Sequence, residues 1–553
     1  MRRLNVFVTE LLELSSVPEE ELTIENPREG WVFIAGEPKR GAAIRVNGEQ
    51  VRCRRRQGWL EAMRYLPKGL FTVTGDGAMS RLVVRAIPEL AYSLFRYDPL
   101  VPEFGPYDWS FLEANVLAHV NTIIGGRGEQ NILFAQRWHA RGGKWLVQMP
   151  LPGLNGDEVT ADEVHAVWSE DLALKHPAFD GIIVDEFPSD DRPAYPVWTE
   201  AAQRLRHEVP QKFYYPYTGF LPESEAASHF GKAMLEDRNP IVYEVYLPEP
   251  DTIEEAEELL EQRLRSRVRD WEKWHKGSAR SLMLALGYMT INESLNINPS
   301  VDFKVWMDMQ FHHIVNHKEF EGLFGLLEYT SGYTDEETQR WASALYRHYA
   351  IEGNTTLLSD AHGYTFALDH IVNPDFADGL AGWTVETADG GEIDTREMEG
   401  FSFLQGRYPR TSRGDTFLWT KRSDEAPNRL LQTIRNLVPG KTYSVKMIAA
   451  DYRHITRGHS EHKRTSSDVC VEGGEPLPRK SFVSVVPNNY AHSLGPFDRE
   501  HKAWFTYHHV VFRALEDEAR LIISDWSDSK NTETEGELMA NFVEVQPWFE
   551  DGS

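Results

Sequence analysis

Between about residues 90 and 350 the chain alternates short apolar runs with amphipathic stretches, and it does so eight times. The apolar runs fall at residues 92–97, 121–125, 144–149, 181–185, 212–217, 241–246, 281–288 and 322–329. Short runs of this kind read as strands buried on both faces, and such strands belong to parallel sheets. Between the sixth and seventh runs, Ile253, Ala256, Leu260, Leu264, Val268 and Trp271 recur at three- and four-residue spacing, with Glu and Arg opposite them. That periodicity predicts a helix with one buried face. Its start is marked by Pro250-Asp251-Thr252, with acids in the first turn. Another helix is predicted to open at Thr334-Asp335-Glu336-Glu337 and to run to about Tyr349. Eight βα units in roughly 260 residues predict a closed (β/α)8 barrel. An open doubly wound sheet would more often carry a Gly-rich phosphate loop after its first strand. Here Tyr97-Asp98-Pro99-Leu100 stands in that place.

The flanks follow the period of strands. In residues 1–88, alternating runs at 4–8, 31–34, 43–46, 70–73 and 82–86 are separated by turns such as Val46-Asn47-Gly48, which predicts an antiparallel β-sandwich. No site-like cluster stands in it, so its expected role is to brace the barrel. Residues 353–553 return to β patterning, with linker strands followed by a second sandwich of jelly-roll type. The predicted division is therefore 1–88, 89–352 and 353–553.

Three of the barrel strands end in acids. The fourth gives Asp185 and Glu186 after Gly181-Ile182-Ile183-Val184, the sixth gives Glu244 in Val242-Tyr243-Glu244-Val245-Tyr246, and the eighth gives Glu328. The C-terminal ends of barrel strands face one mouth, where catalytic groups sit. Paired carboxylates there suit glycosidic cleavage: one protonates the leaving oxygen, and the other attacks the anomeric carbon or activates water. Glu186 is the expected general acid/base and Glu244 its partner, because strands four and six are nearer around the barrel than four and eight. Side chains alternate inward and outward along a strand. Asp185 and Glu186 therefore cannot point the same way unless the strand ends between them, and Asp185 is the alternative inward residue. Glu328 is the third candidate. Tyr97, Asp98, Tyr215, Tyr217, Tyr246, Tyr288 and Tyr329 are the expected sugar contacts, since flat rings with polar edges stack on pyranose faces.

Composition narrows the partners. A formal charge of −27 argues against nucleic acid or an anionic membrane. The basic run Arg52, Arg54, Arg55 and Arg56 reads as a solvated strand edge. Cys53 and Cys470 are the only cysteines, so neither a disulfide framework nor a thiolate zinc site is expected. His313 and His317 lack a carboxylate at matching spacing, and no metal site is assigned to them. No apolar stretch approaches a membrane span, and the first fifteen residues show no export signal.

Two resemblances add to this. Asn373-Pro374-Asp375-Phe376 with Gly382-Trp383, the turn Leu437-Val438-Pro439-Gly440-Lys441-Thr442-Tyr443 and the closing Asn541-Phe542-Val543-Glu544-Val545 resemble β-sandwich carbohydrate-binding modules of the family 4/9/22 type, over residues 365–549. Such modules often hold a structural calcium beside paired acids. This chain has Ala540-Asn541 there, so the ion remains an open expectation. The run Asp180-Gly181-Ile182-Ile183-Val184-Asp185-Glu186 resembles the fourth-strand motifs of (β/α)8 glycoside hydrolases. It lacks the Asn-Glu pair of the largest clan and the full acid series of chitinase-like enzymes. The two resemblances together imply a glycosidase acting on an oligo- or polysaccharide, of secreted or periplasmic type. A polysaccharide lyase on the same barrel and a non-catalytic carbohydrate-binding protein are the alternatives.

Overall fold

The computed structural model describes the chain except for residues 19, 40–41, 77–78, 94–98, 237–238, 489–495, 499, 528–535 and 551–553. Eight parallel strands close into a barrel: Glu89–Tyr92, Thr122–Gly125, Lys144–Met149, Gly181–Phe187, Phe213–Thr218, Ile241–Val245, Leu282–Gly287 and Gly325–Tyr329. The expected α/β barrel between two all-β regions is thus the observed architecture. Strands four and five approach so closely at Gly181 that a Cβ there would lie 2.1 Å from the Phe213 carbonyl oxygen. The helix predicted after strand six begins at Ile253, where the Thr252 side chain accepts from the Glu255 N–H.

The first strand differs from expectation. It starts at Glu89 rather than Tyr92, because a charged residue occupies an inward position that apolar patterning could not reveal. The interior is filled by Ala91, Ile124, Leu146, Ile183, Tyr215, Val242, Met283, Ala285 and Leu327. Below them, Lys144 Nζ lies 2.6 Å from a Glu89 oxygen and 3.0 Å from the Tyr215 hydroxyl, and Trp31 Nε1 donates to the same Glu89 carboxylate. Buried charges persist only when paired and hydrogen-bonded, and this set plugs the floor of the barrel.

Both flanking regions apply one sheet to the barrel. The N-terminal sandwich pairs a six-stranded with a four-stranded antiparallel sheet. Along Gly30–Pro38, Trp31, Phe33 and Ala35 join the barrel's outer core, whereas Val32 and Ile34 join the core between the two sheets. Arg54–Arg56 forms the outermost strand of the larger sheet, paired with Trp59–Leu66.

The C-terminal sandwich repeats the device with a seven-stranded and a four-stranded sheet. Phe417 and Trp419 face the barrel side, while Leu418 faces the inner core. Trp419 is buried, so it offers no exposed platform for a glycan. Its Nε1 donates to Glu537, and the Arg396 guanidinium carbon sits 3.5 Å from its ring centroid. A salt-bridge cluster fastens this sandwich to the barrel: Lys304 bonds Gln546 and lies near Asp302 and Glu337, and Lys446 bridges Glu544 and Asp335. No helix of the described residues is long and apolar enough to cross a membrane.

Candidate active site

The fourth strand breaks its register between Val184 and Phe187, where Val184 pairs with Pro216 and Phe187 with Thr218. Three residues on this strand advance against two on its neighbour, so one is extra, as in a β-bulge. Glu186 takes a left-handed backbone with φ of 55°, a conformation that costs a non-glycine residue and recurs at functional sites. Phe187 then turns outward, stacking 4.5 Å from Phe230 and packing edge-on against Trp198. Simple alternation would hide one of the two acids. The bulge leaves both at the mouth, with Glu186 exposed and Asp185 half-buried.

Asp185 accepts a hydrogen bond of 2.7 Å from Gln148 Nε2, whose strand-three position follows inward Leu146 by two residues. Burial pushes the Asp185 carboxyl up to about 6, the Glu186 charge adds to this, and bonds from Gln148 and the Glu186 N–H oppose it. Glu244 follows inward Val242 on strand six. Burial raises it to about 8, reinforced in order by the charges of Glu186, Glu293 and Asp185. Clustered carboxylates cannot all ionise cheaply. Strands four and six thus bring Asp185 and Glu244 to one mouth, where the Glu186 charge acts on both.

Three tyrosines share the mouth. The Tyr217 and Tyr246 hydroxyls are 2.6 Å apart, and Tyr246 stacks on Tyr329 at 5.5 Å. The charges acting on Tyr217 include Glu244 and Asp185, and those acting on Tyr329 include Asp185, Glu293 and Glu244.

Other expected residues lie elsewhere. Glu328 stands between inward Leu327 and Tyr329 and therefore points away from the mouth, toward Tyr346 and Tyr288. Burial alone pushes its carboxyl well up. Tyr288 is likewise on the outer side, buried beside Tyr92 and Tyr346. Tyr215 faces inward but belongs to the floor, bonded to Glu89 and Lys144. Tyr97 and Asp98 lie outside the described residues. Asp180 accepts from the Trp145 N–H and pairs with His139, a structural role at the other end of the strand.

Sequence reasoning missed Glu293 and Gln148 as members of the site. Glu293 sits in the loop after strand seven, at φ 51° beside Asn292 at φ 48°, and a rule keyed to strand ends passes over it. Gln148 was legible by counting alternation from Leu146.

A structural calcium does not fit the C-terminal sandwich at the expected place. Asp375 is held by both Arg407 guanidinium nitrogens at 2.7 and 2.9 Å, and the Asn541 amide oxygen accepts from Gln405 at 2.8 Å. Among the described residues no group of three or more His, Cys, Asp or Glu is arranged to hold a metal ion. A cavity of about 470 Å³ beneath the N-terminal sandwich, lined by Arg54, Cys53 and Trp138, contains none of the mouth acids.

No family model matches the sequence, and no curated protein matches it. Solved structures that the chain matches include AbfB, a family 51 α-L-arabinofuranosidase from Bifidobacterium longum, at 7% identity over 79% of this chain and 96% of that one, with a TM-score of 0.32. The CBM22-1 xylan-binding domain of Paenibacillus barcinonensis Xyn10C matches at 10% identity over 31% of this chain and 87% of its own, with a TM-score of 0.17. The chain spans 21% of the enzymatically active domain of bacteriophage CBA120 tailspike protein 4, at 11% identity over 32% of this chain and a TM-score of 0.20.

Proposed function

We propose that the protein is a glycoside hydrolase acting on an uncharged oligo- or polysaccharide. The observation that carries this reading is the convergence at one barrel mouth of inward Asp185 and Glu244 with Glu186, which the strand-four bulge leaves beside them and whose charge acts on both. Glu244, raised to about 8, keeps its proton at neutral pH and is the donor to the leaving oxygen. Exposed Glu186 is the carboxylate that attacks the anomeric carbon or activates water. Asp185, held by Gln148, adds negative charge where the oxocarbenium-like transition state develops positive charge. Half-buried Tyr246 and Tyr329 are the ring contacts to the sugar, and buried Tyr217 holds the Tyr246 hydroxyl.

Among the described residues the charges acting on Asp185 and Glu244 are carboxylates, which favours a neutral sugar over a uronate. A lyase would need a tyrosine or histidine base and a basic subsite. Burial pushes the Tyr217 and Tyr246 phenols well up, which keeps them protonated at neutral pH, so neither is available as the phenolate base and that alternative is disfavoured.

The test is a panel of neutral glycans and polyuronates, scored for new reducing ends and for unsaturated products. Hydrolysis of a neutral member is expected. Eliminative cleavage of a polyuronate would establish the lyase instead. On the cleaved glycan, kcat/KM is expected to trace a bell. It rises as Asp185 ionises through about 6 and falls as Glu244 loses its proton through about 8, the two limbs belonging to the coupled group. A profile flat from pH 5 to 9 would remove Glu244 as the proton donor and Asp185 as a required charge.

A further inference from the structure

Residues 405–414 belong to the C-terminal region by sequence, yet they are built into the rim of the barrel. The Gly406 carbonyl accepts from the Ser294 N–H at 2.7 Å, and the Tyr408 N–H donates to the Ser294 carbonyl at 2.9 Å. This short backbone zip lies one residue from Glu293. Gly406 has φ of 98°, and a Cβ on it would come within 2.9 Å of the Asn292 Cα, so the two main chains touch where only glycine fits. Arg407, between them, is 5% exposed. Its fork grips Asp375 at the opening of the sandwich, and its guanidinium lies 4.6 Å from the Phe542 ring centroid. A bidentate Arg–carboxylate pair fixes orientation as well as position. The loop after strand six joins the same rim. The Glu249 N–H donates to the Leu295 carbonyl, its carboxylate accepts from the Ile297 and Asn298 N–H groups, and Asp251 pairs with Arg413.

Tyr408 follows the clamp directly. It is half-buried, and after burial the charges acting most on its phenol are Glu244 and Glu293. Its main chain, bonded to Ser294 next to Glu293, places it on the rim of the seventh-strand loop.

We propose that Tyr408 is a sugar-contacting residue of the active site, contributed by the C-terminal sandwich and positioned by Arg407. The sandwich then completes the cleft and does not act only as a separate binding module. Its substrate is a ring of the neutral glycan next to the scissile bond, recognised by the flat face and hydroxyl of the tyrosine; this rests on the hydrolase reading above. A ring at this place tightens substrate binding without taking part in bond cleavage, so its removal weakens KM and spares kcat.

The experiment uses the full chain and a glycan the parent cleaves. Tyr408→Ala is expected to raise KM about tenfold, with kcat within about threefold of the parent. Tyr408→Phe, which keeps the ring, is expected to recover most of that loss. Tyr408→Leu, which fills the volume without a flat polar-edged face, is expected to behave like the Ala variant and controls for collapse of the rim. Unchanged KM in Tyr408→Leu, with a parent-like melting curve, would overturn the proposal while leaving the hydrolase intact. A parent that cleaves no glycan would overturn the hydrolase reading, and the proposal with it.

Discussion

Glu244→Gln is expected to lower kcat on an unactivated glycan by about 10²–10⁴-fold, the usual worth of a positioned acid. The loss should be smaller on aryl glycosides with acidic leaving groups, which need little protonation. Glu186→Gln should instead fail on both substrate types, because it removes the carboxylate that attacks or activates water. The same Glu244 variant carries a stability signature of opposite sign. The carboxyl is raised from 4.5 to about 8, so the folded state binds a proton that the unfolded chain has released. Above pH 4.5 the native state is therefore penalised by about 1.4 kcal/mol for each pH unit until the folded value is reached. Gln carries no charge and escapes the penalty. Glu244→Gln should match the parent in stability at pH 4 and exceed it by up to about 4 kcal/mol at pH 8. Denaturant titrations at the two pH values, beside turnover on both substrate types, check this. Parent-like turnover, or a variant less stable than the parent at pH 8, would remove Glu244 as the buried proton donor.

Lys144→Met is expected to destabilise the protein by about 3–5 kcal/mol, the cost of breaking a buried ion pair by removing one partner. Lys144 and Glu89 are 4% and 1% exposed. The methionine leaves the Glu89 carboxylate in the barrel floor with Trp31 and Tyr215 as its donors among the described residues. Adding Glu89→Gln should restore much of the loss, since a neutral amide needs no counter-ion. Denaturant unfolding of the single and double variants measures the coupling. A single variant as stable as the parent, or a double variant no better than the single, would show that the floor does not depend on this pair.

Both results concern residues whose surroundings no local pattern describes. Apolar periodicity along residues 89–352 was enough for the closed barrel, because a strand buried on both faces and a helix buried on one leave different spacings. The same periodicity marked the strand ends that carry Asp185, Glu186 and Glu244, and period-two alternation already implied that Gln148 faces inward. Alternation also implied that Glu328 and Tyr329 cannot share a face, and the structure puts Glu328 outside.

What the tertiary structure decided is everything that depends on a partner distant in sequence. Glu89 enters the first strand because Lys144 meets it across 55 residues. Both acids of strand four reach the mouth because a left-handed Glu186 sets one extra residue against strand five, a backbone event with no hydrophobic signature. Glu293 joins the site through the loop after strand seven. Arg407, read in sequence as part of a separate module, pairs with Asp375 and carries Tyr408 to the rim. Periodicity reports which face of an element is buried. It does not report which charged group waits on the other side, and that pairing is settled only when the elements pack.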